Sequence, residues 1–589
     1  MKNEIANMIQ TFEAVAPILV NALKSGQLFH PQCELTEPDP DVLCEYDVSI
    51  PLSEGFSVTA NIYRSKVSAE KGKKVPVVMC AHPYDNHLTP ALGNTALNGA
   101  PQQYRLIPQA GGKPVFSKIT SWESPDPNFW IPAGYAIVNM NLPGYANSEG
   151  PPSAFSEHQA KCYYEAIEWI AKQSWCSGKV GLNGVSFLAI SQFYVATCQT
   201  YGGPPPSLCC ISPWEGLTDP YRDIFAFGGL PDSGFPTFWW NTEVKPAING
   251  SEVDFVNFEG CIATDYLKNH PFYDDFWKKK AARLEEITIP MLVCASFSDH
   301  GLHTMGSFRA FEKAKSKYKW VYTHRTGKWV AYYSPEVQEM TKNFMDCFLK
   351  EDTSSGFLDT PPVRLEVRTS RDEVHEVRYE DEWPIASTQY TKLYLSEQTQ
   401  SLSLETAKKQ MELVYPTKKG KALFNFMFNE DTELSGYMML RIWVEARSEE
   451  TGGTTPDDMG MFIAVNKLDK DGDTVPFYGS VGIKKDMVTR GWCRVSRREL
   501  DPVESTEWHP VTKGSSEKKL KTGEIVPIDI SLYPSSTYFS AGEILQLIIA
   551  SDDIIPSPPY KKDVSLNHGK HVLHFGGEYD SYLLVPKIP

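Results

Sequence analysis

From about residue 46 short apolar runs alternate with segments of helical spacing. Val75–Cys80, Tyr135–Met140, Lys179–Leu182, Leu208–Ile211, Met291–Ala295 and Trp320–Thr323 are bounded by turn residues, and His158–Lys172 and Phe308–Lys315 lie between them. Strands separated by helices predict a parallel sheet covered on both faces, with ligands met at the carboxyl ends of strands. The stretch from about 221 to 286 interrupts this rhythm with aromatics and glycines, among them Phe235, Phe238, Trp239 and Trp240. Inserted between two sheet strands, it reads as a helical cap over a site, although a subdomain packing on itself has the same pattern. Past Thr353-Ser354-Ser355-Gly356 and Pro361-Pro362 the helical segments stop. Val363–Thr369, Thr391–Leu395, Tyr437–Ala446, Met461–Lys467, Ile544–Ala550 and Val572–Phe575 then follow as strands, which predicts an all-β sandwich or jelly roll.

At 589 residues the chain has room for two or three domains. A net charge of -16, with no Lys/Arg run beyond Lys278-Lys279-Lys280, argues against a nucleic-acid partner. Twelve cysteines without a CxxC pair suit a reducing compartment better than a disulfide framework. Residues 1–24 have the spacing of an amphipathic helix (Ile5, Met8, Ile9, Phe12, Val15) broken at Pro17, with Glu4 and Glu13 where a signal peptide would be apolar. No apolar stretch reaches the length of a membrane span. The expectation is a soluble, cytoplasmic protein.

The chemistry starts at Gly184-Val185-Ser186-Phe187-Leu188, where a strand breaks at a serine and resumes as a helix over Leu188–Ala196. Such a turn exposes the serine Oγ and aims a helix N-terminus at the reacting carbonyl, although Leu188 replaces the second glycine of the G-x-S-x-G pattern. A serine nucleophile needs a base, and the base needs an orienting carboxylate. Asp299 follows the strand Met291–Ala295 and His324 follows Trp320–Thr323, in the chain order Ser, acid, His. His300 and His303 neighbour the acid and are expected to point elsewhere; His82 and His87 precede the serine, the wrong order. The oxyanion donors expected are the Phe187 backbone N–H and the hydroxyl of Tyr84, on the loop Ala81-His82-Pro83-Tyr84-Asp85. No H-x-x-x-H or H-E-x-x-H pair suggests a metal, and Asp469-Lys470-Asp471-Gly472-Asp473 has its glycine at the wrong position for a calcium loop.

Taken in order, Pro83-Tyr84-Asp85, Gly134 to Val138 leading to Gly144, Ser148-Glu149-Gly150 and the Ser186 elbow resemble the cocaine esterase-like (CocE/NonD) group of the X-Pro dipeptidyl-peptidase superfamily. The resemblance continues through Ser298-Asp299, His324, Lys328-Trp329, Phe344-Met345-Asp346, Leu349-Lys350 and Gly576 to Leu583. It implies an α/β-hydrolase fold with a helical cap and a C-terminal jelly roll. By resemblance Ser186 is the nucleophile, Asp299 the acid, His324 the base and Tyr84 an oxyanion donor. Ala189 stands where the family has glycine, Pro143 where arginine is common, and the N-terminal arm is longer than in the bacterial esterases.

The expectation is therefore an α/β protein with a helical arm (1–45), an α/β-hydrolase domain (46–355, cap about 221–286) and a jelly-roll β-sandwich (356–589). Its expected activity is hydrolysis of a hydrophobic small-molecule ester, amide or thioester through an acyl-enzyme at Ser186, without cofactor, nucleic acid or membrane. Trp214, Phe235, Phe238, Trp239 and Trp240 are the expected substrate wall, and they equally suit a cap core. Acyl transfer or cyclisation by the same residues, a degenerate carbohydrate-binding protein, and self-association as a homodimer stay open.

Overall fold

A computed structural model describes residues 16–89, 103–152, 154–232, 234–249, 267–396, 400–450, 452–479, 483–555 and 560–589. The first 15 residues of the expected arm helix and residues 250–266 of the expected cap lie outside the described residues.

Ten strands build the N-terminal sheet: β1 (Val42–Pro51), β2 (Ser57–Ser65), β3 (Val75–His82), β4 (Ala136–Asn141), β5 (Cys176–Val185), β6 (Leu208–Trp214), β7 (Met291–Ser296), β8 (Lys319–His324), β9 (Val363–Arg368) and β10 (Val374–Glu380). Their spatial order is β1-β2-β4-β3-β5-β6-β7-β8-β9-β10; the run from β4 to β9 is parallel, and β1, β2 and β10 pair antiparallel. Every residue of β3, β4 and β7 is buried, without the alternation of a half-exposed strand, because helices cover both faces. Helices α1 (Glu157–Ala171) and α2 (Phe187–Val195) flank β5, and burial of each large aliphatic side chain there stabilises by about 1.5–3 kcal/mol. Ser156 caps α1 by accepting a hydrogen bond from the Gln159 amide.

Between β6 and β7 the chain leaves the sheet. It forms short helices α3 (Phe235–Trp239) and α4 (Asp275–Lys280), with π-helical turns at Tyr221–Phe225 and Trp240–Val244. After β7 come α5 (Thr304–Lys313), α6 (Lys328–Tyr332) and α7 (Pro335–Met345).

The strand at Val363, expected to open the C-terminal unit, extends the N-terminal sheet as β9, parallel to β8, and β10 follows it in a hairpin. The expected boundary at 355/356 thus falls ahead of two strands of this sheet. The remaining strands form two antiparallel sheets around a second core. One contains β11 (Gln389–Leu395), β12 (Met411–Pro416), β14 (Thr432–Arg447), β17 (Val526–Phe539), β19 (Lys570–Phe575) and β20 (Tyr582–Ile588). The other contains β13 (Lys421–Met427), β15 (Gly460–Leu468), β16 (Thr489–Arg494) and β18 (Ile544–Ala550).

Polar ties join the two halves. Arg368, at the end of β9, is buried and donates to the carbonyls of Phe297, Val488 and Ser536. Lys562 and Asp232 form a fully buried ion pair at 2.6 Å, and Phe235 stacks on Tyr560. The inserted segment between β6 and β7 is therefore packed against the C-terminal strands. Among the described residues no helix is long and apolar enough to cross a membrane, and the eleven described cysteines are unpaired.

Candidate active site

Ser186 stands between β5 and α2 with φ 59° and ψ -115°, a left-handed conformation that a side-chain-bearing residue adopts at a cost of about 1–3 kcal/mol. Three hydrogen bonds hold it there: its amide donates to the Trp214 carbonyl (3.0 Å), and its own carbonyl accepts from Ala189 (3.0 Å) and Ile190 (2.9 Å). Gly184 explains why Leu188 is tolerated in place of the second glycine. A Cβ on Gly184, at φ 155°, would come within 2.6 Å of Leu188 Cβ, so the missing side chain on one side of the elbow makes room for the other. Ser186 is half-buried and its neighbours are buried, so its hydroxyl is the part of the elbow that solvent reaches.

The imidazole that meets this hydroxyl is His303. Its Nε2 lies 3.1 Å from Ser186 Oγ, and its Nδ1 lies 2.5 Å from Asp299 Oδ2. Asp299 follows β7 as expected, and the chain then curls so that residue i+4 faces the same way as residue i. Gly301, at φ 94°, allows the turn, and the amides of Leu302, His303 and Thr304 all point at the Asp299 carbonyl. His303 sits at the head of α5 with its side chain 2% exposed.

His324, the expected base, is not at Ser186. It ends β8, and its Nε2 is 2.7 Å from Glu215 Oε1 while Trp214 stacks on its ring with centroids 5.6 Å apart. The reason is the register. Ser296 of β7 lies opposite His324, so the chain passing Ser296 must run on to Asp299 and His303 before it reaches the serine. A histidine fixed at the strand end meets the loop after β6 instead. The signal for His303 was present as Asp-x-x-x-His with an intervening glycine directly before a helix. A general rule that neighbours of the acid point away hid it.

Lys328, the first residue of α6, completes the cluster. Its Nζ donates to Asp299 Oδ2 (2.9 Å) and is 2.9 Å from His303 Nδ1. Burial acts to raise the Asp299 pKa, but Lys328 and His303 outweigh it and hold the carboxyl well below the ordinary range. Burial, reinforced by Lys328, lowers His303 below an ordinary histidine despite Asp299. Burial also acts against a charge on Lys328, and the carboxylates of Asp299, Glu215 and Glu123 more than offset it.

Tyr84, just past β3, is buried and accepts a hydrogen bond from the Trp239 indole N–H at 3.0 Å. Burial keeps its phenol protonated. Trp239 in turn stacks on Phe187 (5.9 Å, 21° between planes) beside Phe155. The Phe187 amide opens α2 and has no acceptor within its own helix, which leaves it available to a ligand. Of the expected substrate wall, Trp239 is thus brought to the elbow. Trp214 is packed among His324, Tyr322 and Tyr332; Phe238 packs on Ile18, Ala22 and Leu106; Phe235 faces Tyr560; Trp240 belongs to the main core.

Besides Glu215, two further acids of this region were not anticipated from the sequence. Glu123, at φ 63°, accepts from the Trp329 indole (2.9 Å), and its own carbonyl accepts from the Val185 amide ahead of the serine. Burial, opposed by Lys328 and Trp329 and reinforced by Glu243 and Asp299, pushes Glu123 up to about 8. Burial against Lys328 pushes Glu243 to about 7.

Comparison with known proteins agrees with this architecture. Residues 54–329 match the X-Pro dipeptidyl-peptidase (S15 family), and residues 355–584 match the X-Pro dipeptidyl-peptidase C-terminal non-catalytic domain. A CocE/NonD family hydrolase from Staphylococcus aureus is 35% identical with a TM-score of 0.81, covering 93% of this chain and 94% of that one. Cocaine esterase from Rhodococcus sp. (strain MB1 Bresler) is 23% identical over 402 residues, 59% of this chain, which spans 62% of that relative's length. An α-amino acid ester hydrolase shares the fold at 15% identity and a TM-score of 0.66, over 94% of this chain and 98% of that one.

Proposed function

Since the chain belongs to the CocE/NonD family of serine hydrolases, we propose that it cleaves an ester or amide of a hydrophobic small molecule through an acyl-enzyme at Ser186, with His303 as base and Asp299 as its orienting acid. The observation that carries this reading is the continuous relay from Ser186 Oγ through His303 to Asp299, at 3.1 and 2.5 Å. Ser186 Oγ attacks the substrate carbonyl and gives its proton to His303 Nε2, while Asp299 holds the Nδ1–H and stabilises the imidazolium. The oxyanion accepts hydrogen bonds from the Phe187 amide and the Tyr84 hydroxyl, donors fixed in place before the charge develops. His303 then protonates the leaving alcohol or amine; in the second half it takes a proton from water as that water attacks the acyl group, and passes it to Ser186 Oγ as the acyl–serine bond breaks and the acid leaves.

In this reading the segment between β6 and β7 is a helical cap, with Trp239 and Phe187 as its aromatic wall, and the C-terminal sheets are a jelly roll that braces it. The unpaired cysteines support a reducing, cytoplasmic setting. Transfer of the acyl group to another nucleophile would use the same residues. A serine-directed fluorophosphonate should label the protein and fail to label Ser186→Ala. Product analysis with and without added alcohol separates hydrolysis from transfer, and a higher kcat/KM for benzoyl than for acetyl esters is the outcome expected of the aromatic wall.

A further inference from the structure

Lys328 is buried among the groups of the relay, and acyl transfer as described does not use its charge. Three atoms close a triangle: Lys328 Nζ to Asp299 Oδ2 at 2.9 Å, Lys328 Nζ to His303 Nδ1 at 2.9 Å, and His303 Nδ1 to Asp299 Oδ2 at 2.5 Å. An ammonium has donors and no acceptor. It can donate to Asp299, but with Nδ1 protonated toward Asp299 it makes no bond to the ring, and a positive charge on that ring would sit directly against it. We propose that Lys328 is a positioning residue of the Ser186 site: it pins the Asp299 carboxylate to the imidazole and opposes the imidazolium form of His303, so that the base stays neutral in mildly acidic conditions. The inference rests on His303 being the base of Ser186.

The charged and titratable groups that face His303 come from every surrounding element. Asp299 comes from the turn after β7, and Glu215, from the loop after β6, brings a carboxylate oxygen within 4.8 Å of both. Glu123 and Glu243 act on Lys328 from the loop ahead of β4 and from the inserted segment, and His324 is tied to Glu215. Cys294 on β7, His300 beside Asp299 and Tyr533 on β17 are buried and kept uncharged. Asp299 and Glu215 favour a proton on His303, while burial and Lys328 oppose it and prevail. Lys328 is the cation in contact with the ring. A lysine here trades base strength for an acid-tolerant resting state, since a neutral imidazole is the form that can accept the serine proton.

The test is the pH profile of kcat/KM for the full chain and two variants. Lys328→Gln keeps a donor for Asp299 and removes the charge; Lys328→Arg keeps the charge. The acid limb should move up by at least about one pH unit in Lys328→Gln, an about tenfold loss below the limb, and should stay in place in Lys328→Arg. If Lys328→Gln does not fold, Lys328→Met, which buries no polar group, is measured in its place with the same expected shift. An acid limb that does not move in the neutral variant, or that moves equally in Lys328→Arg, overturns the proposal. His303→Ala separates this failure from that of the underlying reading: full activity there overturns the base assignment, whereas its inactivity with an unmoved limb overturns only the role of Lys328.

Discussion

Two buried imidazole–carboxylate pairs lie side by side beyond neighbouring strands, His303 with Asp299 after β7 and His324 with Glu215 at the end of β8. They are alike in burial and in length, 2.5 against 2.7 Å. They differ in what the second ring nitrogen meets. His303 Nε2 has Ser186 Oγ, whereas His324 Nδ1 has no hydrogen-bond partner among the described residues and its ring is covered by Trp214. A buried histidine needs a partner whatever its task. A carboxylate beside a histidine at a strand end is therefore weak evidence of catalysis, and the direction of the other nitrogen decides. Glu215, like Ser186, has a positive φ, 51°, which fits a brace beneath the elbow.

The largest expected effect lies in the reacting pair. Ser186→Ala, and Asp299→Asn through loss of the productive His303 tautomer, should each lower kcat by about 10⁴-fold, read in steady-state ester turnover. Glu215→Gln, the corresponding change in the other pair, should leave kcat within about tenfold. Next comes Tyr84→Phe, with an expected loss of about 10²-fold in kcat because one preorganised donor is removed, and a modestly lower melting temperature because the Trp239 indole N–H loses its acceptor. A Tyr84→Phe variant at full rate would make that hydroxyl a packing group held by Trp239.

His324→Leu, which has no donor, should act on stability more than on rate. Leaving Glu215 without its partner costs about 1–3 kcal/mol, visible as a lower melting temperature. The smallest effect concerns pH. Burial holds His82, His509 and His571 at about 3, so between about 3 and 6.5 the unfolded chain binds protons that the native one does not. Folded-state values below the unfolded one mean that stability is present above about 6.5 and falls as pH drops below it. Glu123 and Glu243, raised by burial to about 8 and about 7, keep protons in the fold over the same range and act in the opposite sense, so the fall in melting temperature from pH 7 to 5 should be shallow, and the two histidine pairs are best compared above pH 7.

Much of the N-terminal sheet was legible in the sequence because its strands are continuous apolar runs bounded by turns, and each expected run overlaps an observed strand. The elbow was legible because Gly184, two residues ahead of Ser186, marks a strand that stops abruptly at a serine and gives way to a helix. The end of that sheet was not legible. Val363-Arg364-Leu365-Glu366-Val367-Arg368 alternates like a half-exposed sandwich strand, and nothing local says that it pairs with β8. His303 was hidden for a different reason: chain order and strand ends are long-range regularities, while a four-residue turn around Gly301 is a local one that overrides them. The four aromatics expected from the inserted segment gave composition without direction, and of these Trp239 is the one brought to the elbow.

The most direct test of the account is to compare His303→Ala with His324→Ala in one assay, measuring kcat/KM for an ester above pH 7 together with the rate of fluorophosphonate labelling at Ser186. The account expects His303→Ala to lose at least about 10³-fold in both while His324→Ala stays within about tenfold of wild type. An inactive, folded His324→Ala beside an active His303→Ala would contradict it.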